Sequence, residues 1–325
     1  MSEIRQDPCT GQRVLIASGR KHRPMDWRGE DETPLPAFDP DCPFCPGNED
    51  KLPSIIAEVA RDETPGWAVR VVPNKYPAVS ASSEAGAQSA AYGEHRVIVE
   101  TPRHDLDLDR VTPEQAELVV GAYHDQFCEL AAKPGTKSVV LFRNFGPTAG
   151  ASRQHAHTQI MSLDAVPPKT DATSRWLRAA FERHGENATA RYLRNELEDG
   201  TRIIEGTEDF VLLVPFAASG PFELLILPRR HQASFAEATA PERAALAAML
   251  QSALRRLKTV IGPLDYNWVF ETSLPHDAEP ELQYWCLRIA PRLSTPGGFE
   301  LGTYLPVNSS SPEDDAAALR DAAGS

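Results

Sequence analysis

No run of about 18 uncharged apolar residues occurs in the chain, so the sequence offers no membrane-spanning helix. The opening segment, MSEIRQDPCTGQ, lacks the apolar core of a signal peptide. Cysteine is scarce and odd in number, five with a single close pair. That argues against a disulfide framework and predicts a reducing, cytoplasmic setting. Positive charge is also short: 33 Lys and Arg against 46 Asp and Glu leave a formal net charge of −13. Such a surface does not suit duplex DNA or RNA, and an anionic ligand must be held by a local cluster of cations and amides. No nucleic-acid partner and no membrane partner is expected.

What remains is a chain of 325 residues, 41% hydrophobic, long enough for two domains or one duplicated domain with a sizeable core. Residues 31–50 are rich in Pro, Asp and Glu and read as loop. Strands are expected at VRVVP (from 69), HRVIVE (95–100), SVVLFRNF (138–145) and HAHTQIMSL (155–163). TPEQAELVVGAYHDQFCELAA (112–132) has a Thr cap and apolar residues at helical spacing, so it reads as a helix. Past the midpoint, DFVLLVPFA and FELLILPRRH read as strands, 241–261 as a second amphipathic helix, and NWVFETSL and QYWCLRIAPRL as strands. The order strand, strand, helix, strand, strand recurs, which predicts an internal duplication of one α+β unit. The small, polar stretch 81–93 is expected to be a mobile loop, and SSSPEDDAAALRDAAGS a poorly ordered tail or short helix.

The stretch GASRQHAHTQ (150–159) carries the chemistry. On a strand, alternate side chains share a face, so His155, His157 and Gln159 project together. Spacing alone is equally compatible with a polar face turned to water. The loop before it shifts the balance: Gly146, Gly150, Ala151 and Ser152 allow close backbone approach, and successive N–H groups can form an anion-binding nest. An imidazole after an anion loop suits phosphoryl or nucleotidyl transfer, with the ring attacking phosphorus and Gln159 donating to a non-bridging oxygen.

DCPFCPGNE sets Cys42 and Cys45 in a C-x-x-C pair within a loop. Two thiolates at that spacing can share one tetrahedral metal, with His104 and His155 as candidates for the other ligands. A redox dithiol is the rival, although Pro46-Gly47 opposes the helix that such motifs open. A pair of structural free thiols is the third reading. Cys9, Cys128 and Cys286 read as packing residues.

Seven segments in order, DPCTGQRVLIASGRKHRP, CPFC, VVPNKYPAV, HRVIVETPRH, FRNFGPTAGASRQHAHTQ, PFELLILPRRH and APRLSTPGGFELGT, together resemble the galactose-1-phosphate uridylyltransferase family of the histidine-triad superfamily. VVPNKYPAV and GGFE resemble the branch that includes ADP-glucose phosphorylase. The resemblance implies an α+β fold of two duplicated histidine-triad-like domains with antiparallel sheets and flanking helices. Residues 1–165 would form the catalytic domain with a metal site. Residues 166–325 would form a non-catalytic domain with a sugar-binding segment and a polar tail.

Carried over residue by residue, the resemblance makes His157 the nucleophile that holds the nucleoside monophosphate. Gln159 and Ser152 would contact the transferred phosphate, as would the loop around Gly150. Cys42, Cys45, His104 and His155 would hold a structural Zn2+. Arg20, Arg23, Asn74 and Asn144 would reach the nucleotide, and Phe299 and Glu300 the hexose. The family also departs from this chain at several points. Ala156 stands where a proline is usual, Arg153-Gln154 where Asn-Pro is common, Lys75 where an aspartate is frequent, and Ser294 in place of a lysine. Tyr284 and Cys286 replace the imidazoles of a His-Trp-His, so no second metal site is expected there. The implied reaction is ping-pong nucleotidyl transfer from a nucleotide sugar to a sugar 1-phosphate, in a homodimer. Alternatives are an ADP-sugar or dinucleoside polyphosphate phosphorylase using inorganic phosphate, a hydrolase, and a non-enzymatic nucleotide-binding protein.

Overall fold

The computed structural model describes residues 2–19, 34–61, 64–80 and 91–322. Arg20, Arg23 and most of the 81–93 stretch lie outside the described residues. Ten strands form one sheet in the order β3-β4-β5-β7-β6-β11-β12-β10-β9-β8, every neighbouring pair antiparallel. The first half supplies β3 (Ala57–Arg61), β4 (Thr64–Pro73), β5 (His95–Val99), β6 (Ser138–Phe145) and β7 (His157–Leu163). The second supplies β8 (Ile203–Gly206), β9 (Phe210–Leu213), β10 (Leu224–Pro228), β11 (Tyr266–Glu271) and β12 (Cys286–Pro291). Read outward from the β6–β11 seam, the two halves repeat the same order, strand for strand. The duplication therefore holds, with one addition: a third strand precedes the helix in each half. These extra strands, β3 and β8, are the sheet's two edges. Their sequences AEVAR and IIEG are short and partly polar, which is why pattern alone does not reveal them.

Helix α1 (Pro113–Ala131) connects β5 to β6, and α4 (Ala240–Ile261) occupies the equivalent place between β10 and β11. The Thr112 side chain accepts from the Gln115 N–H, and Pro113 opens the helix where its missing N–H costs nothing. Thr239 and Glu242 form a reciprocal capping box on α4. On α1, Val119, Tyr123, Phe127 and Leu130 are buried at helical spacing. The two helices pack against each other on one face of the sheet. Beneath them a single apolar core crosses the seam, from Val69, Ile98, Leu141 and Ile160 to Leu224, Trp268 and Leu287.

Between the halves run α2 (Pro168–His184) and α3 (Ala188–Asp199). The N-terminal hairpin β1 (Glu3–Gln6) and β2 (Arg13–Ile16) pairs with β13 (Val307–Asn308), so it sits against the second half of the chain. Arg5 reaches Glu313 at 2.8 Å, and Arg288 reaches Asp7 at 3.1 Å. After α5 (Gly298–Thr303), the acidic C-terminal stretch takes the short-helix form as α6 (Pro312–Asp321). Burial of Ala316 and Leu319 and a Ser311 cap hold it in place. Among the described residues no helix is long and apolar enough to cross a membrane, and all five cysteines are free.

Candidate active site and metal centre

The face of the sheet opposite α1 and α4 carries the site. Val99 lies opposite His157, Val97 opposite Gln159, His95 opposite Met161, and Phe142 opposite Gln159. Continuing the β6–β7 register puts Asn144 across from His157, and Asn144 in turn lies opposite Asn267 on β11. Opposed residues in an antiparallel pair share a face, so His95, His157, Gln159, Asn144 and Asn267 converge. Thr158 and Arg143 point the other way, into the core.

His155 precedes β7 and is fully buried; His157 is 8% exposed. The Phe44 ring packs against both imidazoles, 6.0 Å from the first and 5.4 Å from the second, which puts them on one side of the strand. The Nε2–H of His155 donates to the Thr101 carbonyl at 2.7 Å, leaving Nδ1 as the free nitrogen. That Nδ1 lies 3.6 Å from Cys42 Sγ and 3.7 Å from Cys45 Sγ. His104 Nδ1 lies 3.5 Å from Cys45 Sγ, and its Nε2 faces Asp39 at 4.0 Å. The four buried ligand atoms lie within 4.8 Å of one another. The Asp39 N–H points at Cys45 Sγ at 3.3 Å, and Asn48 holds the loop by donating to the Cys42 carbonyl at 2.7 Å. Burial pushes the Cys42 thiol up to about 11. Two sulfurs and two imidazoles in one buried cluster fit a metal ion, and the outward nitrogen of His155 has the hydrogen-bonded carbonyl expected around such a centre. The C-x-x-C pair opens no helix, in keeping with a ligand pair and unlike a redox dithiol.

At His157 the polarity of the ring reverses. Its Nδ1–H donates to the His155 carbonyl at 2.8 Å, so the lone pair is on Nε2. Burial lowers its pKa to about 4, with Arg143 and Arg153 adding to the effect. The ring is neutral at pH 7 and able to attack.

The loop from β6 to His155 departs from an open nest. The Thr148 N–H donates to Asp265 Oδ2 at 2.6 Å, and the N–H groups of Ala149, Gly150 and Ala151 are taken by loop carbonyls. Backbone donors left for an anion include those of Ser152, Arg153 and Gln154, for which no partner occurs among the described residues. Gly150 sits at the turn with its Cα facing Asn144. Asn74 joins the same face through Gln159 at 3.4 Å. Phe299 and Glu300 lie apart on α5, where Phe299 is exposed and Glu300 accepts from the Gly297 N–H at 2.9 Å. No hydrogen bond or ion pair among the described residues links them to the His157 face.

Sequence reading passed over His95, Asn267 and the buried network behind β7. Glu100 accepts from Tyr123 and Thr158, both at 2.6 Å, and pairs with Arg143. Arg143 also pairs with Asp107 at 2.6 Å, which Lys258 of α4 reaches at 2.7 Å. HRVIVE opens with His95, but a histidine at the start of a strand carries no signal of its own. In the second half, Tyr284 and Cys286 occupy the places of His155 and His157, and the Tyr284 hydroxyl donates to the Pro228 carbonyl at 2.6 Å. A cavity of about 210 Å³ beside them is lined by Lys169, Glu271 and Cys286 among others, away from His157.

A duplicated antiparallel fold with a neutral, tautomer-locked imidazole beside a cysteine–imidazole cluster defines a histidine-based group-transfer protein. The sequence matches the galactose-1-phosphate uridyl transferase N-terminal domain over residues 1–167 and the C-terminal domain of the same enzyme over 174–278. The chain belongs to the galactose-1-phosphate uridylyltransferase family, among enzymes of the nucleotidyltransferase type. It is 31% identical to an ADP-glucose phosphorylase of Arabidopsis thaliana, over 98% of this chain and 92% of that protein. It is 32% identical to a galactose-1-phosphate uridylyltransferase of Haemophilus influenzae, over 84% of this chain and 76% of that one. The crystal structure of the Arabidopsis ADP-glucose phosphorylase with bound ADP-glucose superposes with a TM-score of 0.87, at 29% identity and 99% coverage of both chains.

Proposed function

We propose that the protein moves a nucleoside monophosphate from a nucleotide sugar to a sugar 1-phosphate through a covalent nucleotidyl-histidine at His157. The observation that carries this reading is the 2.8 Å bond from His157 Nδ1 to the His155 carbonyl, which leaves the lone pair on Nε2. That pair forms a bond to the α-phosphorus as the bridging P–O bond breaks, and hexose 1-phosphate leaves with the bonding electrons. The ring becomes a cation, steadied by the Nδ1–H bond already in place. In the return step a phosphate oxygen of the acceptor attacks, the P–N bond breaks, and Nε2 regains its pair. The leaving group is a phosphate oxygen, which departs without a proton, so no general acid is needed.

Gln159, Asn144 and Ser152 are read as donors to the phosphoryl oxygens, with the turn at Gly150 setting their approach. Arg20, Arg23 and Asn74 are read as nucleotide contacts, and Phe299 and Glu300 as hexose contacts. Cys42, Cys45, His104 and His155 are read as a structural Zn2+ site. A closed Cys₂His₂ set leaves no open coordination position, so the ion would act as a cross-link between the 39–48 loop and the start of β7. Residues 1–165 would house catalysis and 166–325 would serve as the non-catalytic partner domain, within a homodimer whose mass sedimentation equilibrium would check.

A second reading differs only in the acceptor: inorganic phosphate, which makes the protein a nucleotide-sugar phosphorylase. The superposition on the ADP-glucose phosphorylase, TM-score 0.87 against 0.76 for a solved uridylyltransferase, favours it. Intact-mass measurement after incubation with UDP-, ADP- and GDP-hexoses tests the covalent step, and a gain of one nucleoside monophosphate is expected. Exchange of labelled phosphate against labelled hexose 1-phosphate into the nucleotide sugar then separates the two acceptors.

A further inference from the structure

Two side-chain amides flank His157, Gln159 on β7 and Asn144 on β6, and in each the carbonyl end is already taken. His95, the first residue of β5, accepts from the Ala78 N–H at Nδ1, 3.2 Å away, so its proton is on Nε2. That Nε2–H donates to Gln159 Oε1 at 2.9 Å. The opposite tautomer would set a proton against the Ala78 N–H and a lone pair against the Gln159 oxygen. Burial pushes the pKa of His95 down, against the pull of Gln159, so the ring is neutral at pH 7. Asn74 adds a second donor. Its Oδ1 accepts from the Tyr76 N–H at 2.8 Å, which turns its Nδ2 between Gln159 Oε1 at 3.4 Å and His95 Nε2 at 3.2 Å; with the proton on Nε2 the hydrogen bond goes to Gln159.

On the other side, Asn267 donates from Nδ2 to Asn144 Oδ1 at 2.8 Å and to the Ala149 carbonyl at 2.9 Å. Arg292 fixes that orientation by donating from Nε to Asn267 Oδ1. An amide whose oxygen is satisfied from behind has one orientation left, with its NH₂ forward. A flipped amide would turn an acceptor toward an anionic phosphate.

We infer that His95 and Asn267 are positioning residues that lock Gln159 and Asn144 as a matched pair of NH₂ donors for the phosphoryl group transferred at His157. The inference rests on the nucleotidyl-transfer reading. Negative charge on the non-bridging oxygens is met by donors set before the substrate arrives, so nothing reorganises as the P–N bond forms. Neither His95 nor Asn267 touches the reacting atoms; each acts through the amide in front of it.

The test is a double-mutant cycle on the full-length enzyme, read as the single-turnover rate of nucleotidyl-enzyme formation. His95→Leu should slow that step about 10- to 100-fold with little change in nucleotide-sugar affinity. On a Gln159→Ala background the same change should cost less than about 3-fold. Asn267→Leu should behave alike against Asn144→Ala. His95→Gln keeps a donor and should recover part of the loss. Multiplicative losses, or Leu and Gln variants of equal rate, overturn the inference while the wild type still forms the intermediate. A wild type that never acquires a nucleotide overturns the transfer reading and this role with it. Imidazole ¹⁵N resonances of the unmodified protein test the geometry even where variants fail to fold: an Nε2–H His95 supports it, and an Nδ1–H His95 overturns it.

Discussion

His155 and His157, two residues apart on one face, are held in opposite tautomers. The first donates its Nε2–H to Thr101 at 2.7 Å, and the second donates its Nδ1–H to the carbonyl of the first at 2.8 Å. One ring therefore offers Nδ1 to the cysteine cluster, and the other keeps its lone pair on Nε2. A backbone carbonyl sets each choice, so one short stretch of chain serves a support and a nucleophile without competition between them.

Removing the nucleophile should separate binding from chemistry. His157→Gly should lose nucleotidyl-enzyme formation by at least ~1000-fold, with free imidazole in the vacated space restoring turnover in part. Steady-state rates with and without added imidazole check this. Turnover by the glycine variant alone at the wild-type rate would end the assignment.

The cluster at Cys45 makes a second expectation concrete. Freshly purified protein should carry about one equivalent of zinc, and Cys45→Ser should carry less than about half. Because His155 belongs to the cluster and leads directly into β7, metal loss should also lower the melting temperature and slow nucleotidylation. Elemental analysis beside thermal unfolding reads both. Less than about half an equivalent in the wild type would count against the four-ligand site.

Behind β7, Arg143 is fully buried between Glu100 and Asp107, and its guanidinium lies 4.6 Å from the Trp268 ring across the seam. Burial pushes the Glu100 carboxyl up, against the pull of Arg143, whereas Arg143 and Lys258 outweigh burial at Asp107 and hold it well below the usual carboxylate range. Arg143→Met leaves Glu100 with only the neutral hydroxyls of Tyr123 and Thr158, while Asp107 keeps Lys258, and should cost about 3–5 kcal/mol. Glu100→Gln leaves Arg143 its partner Asp107 and should cost less. Urea unfolding of the two variants checks the order, and a loss under ~1 kcal/mol for Arg143→Met would contradict it.

These contrasts explain which parts of the fold were legible beforehand. SVVLFRNF and the α1 and α4 segments carry strong period-2 or period-3.6 patterns and caps, and their observed bounds lie within two residues of the expected ones. The edge strands β3 and β8 bury little and so leave no run to read. α2 has a polar exterior and few buried positions, Leu177 and Ala180. Alternation put His155, His157 and Gln159 on one face, because period 2 is local. His95 and Asn267 reach the same face through pairing across 64 and 123 residues, which no window of sequence contains. Glycines 146 and 150 suggested an open anion loop, yet the distant carboxylate of Asp265 takes one donor and loop carbonyls take three more.

Part of the acid sensitivity should arise at the junction of the N-terminal hairpin and α6. Burial pushes Glu313 up, but hydrogen bonds from Arg5 and Arg202 outweigh it and bring the carboxyl down to about 2. A depressed folded-state pKa contributes stability in full above the unfolded-state value and loses it as pH falls through the folded-state value. Glu313 should therefore stabilise the protein at pH 5 and above by on the order of 1–2 kcal/mol after solvent screening, and lose that contribution between about pH 4.5 and pH 2. Glu313→Gln should flatten the stability-versus-pH curve in that window. Identical slopes for the two proteins in denaturant titrations would refute it.

The turn that delivers His155 and His157 depends on a glycine for two separate reasons. Gly146 has φ of +85°, and a Cβ built there would stand 1.8 Å from Asp265 Oδ1. The same carboxylate holds the Thr148 N–H at 2.6 Å and its hydroxyl at 2.5 Å. An alanine at 146 must therefore displace Asp265, free both Thr148 donors and adopt a strained backbone at once. At Gly150, also at φ +85°, the nearest atom to such a Cβ is Asn144 Nδ2 at 3.9 Å, so an alanine meets only the backbone strain. Gly146→Ala should cost about 2–4 kcal/mol and Gly150→Ala about 1–2 kcal/mol. Gly150→Ala should still slow nucleotidylation, because relief of that strain moves the turn that leads to Ser152 and His155. Chemical denaturation with single-turnover rates on both variants distinguishes the outcomes, and equal stability losses would show that Asp265 does not pin the loop.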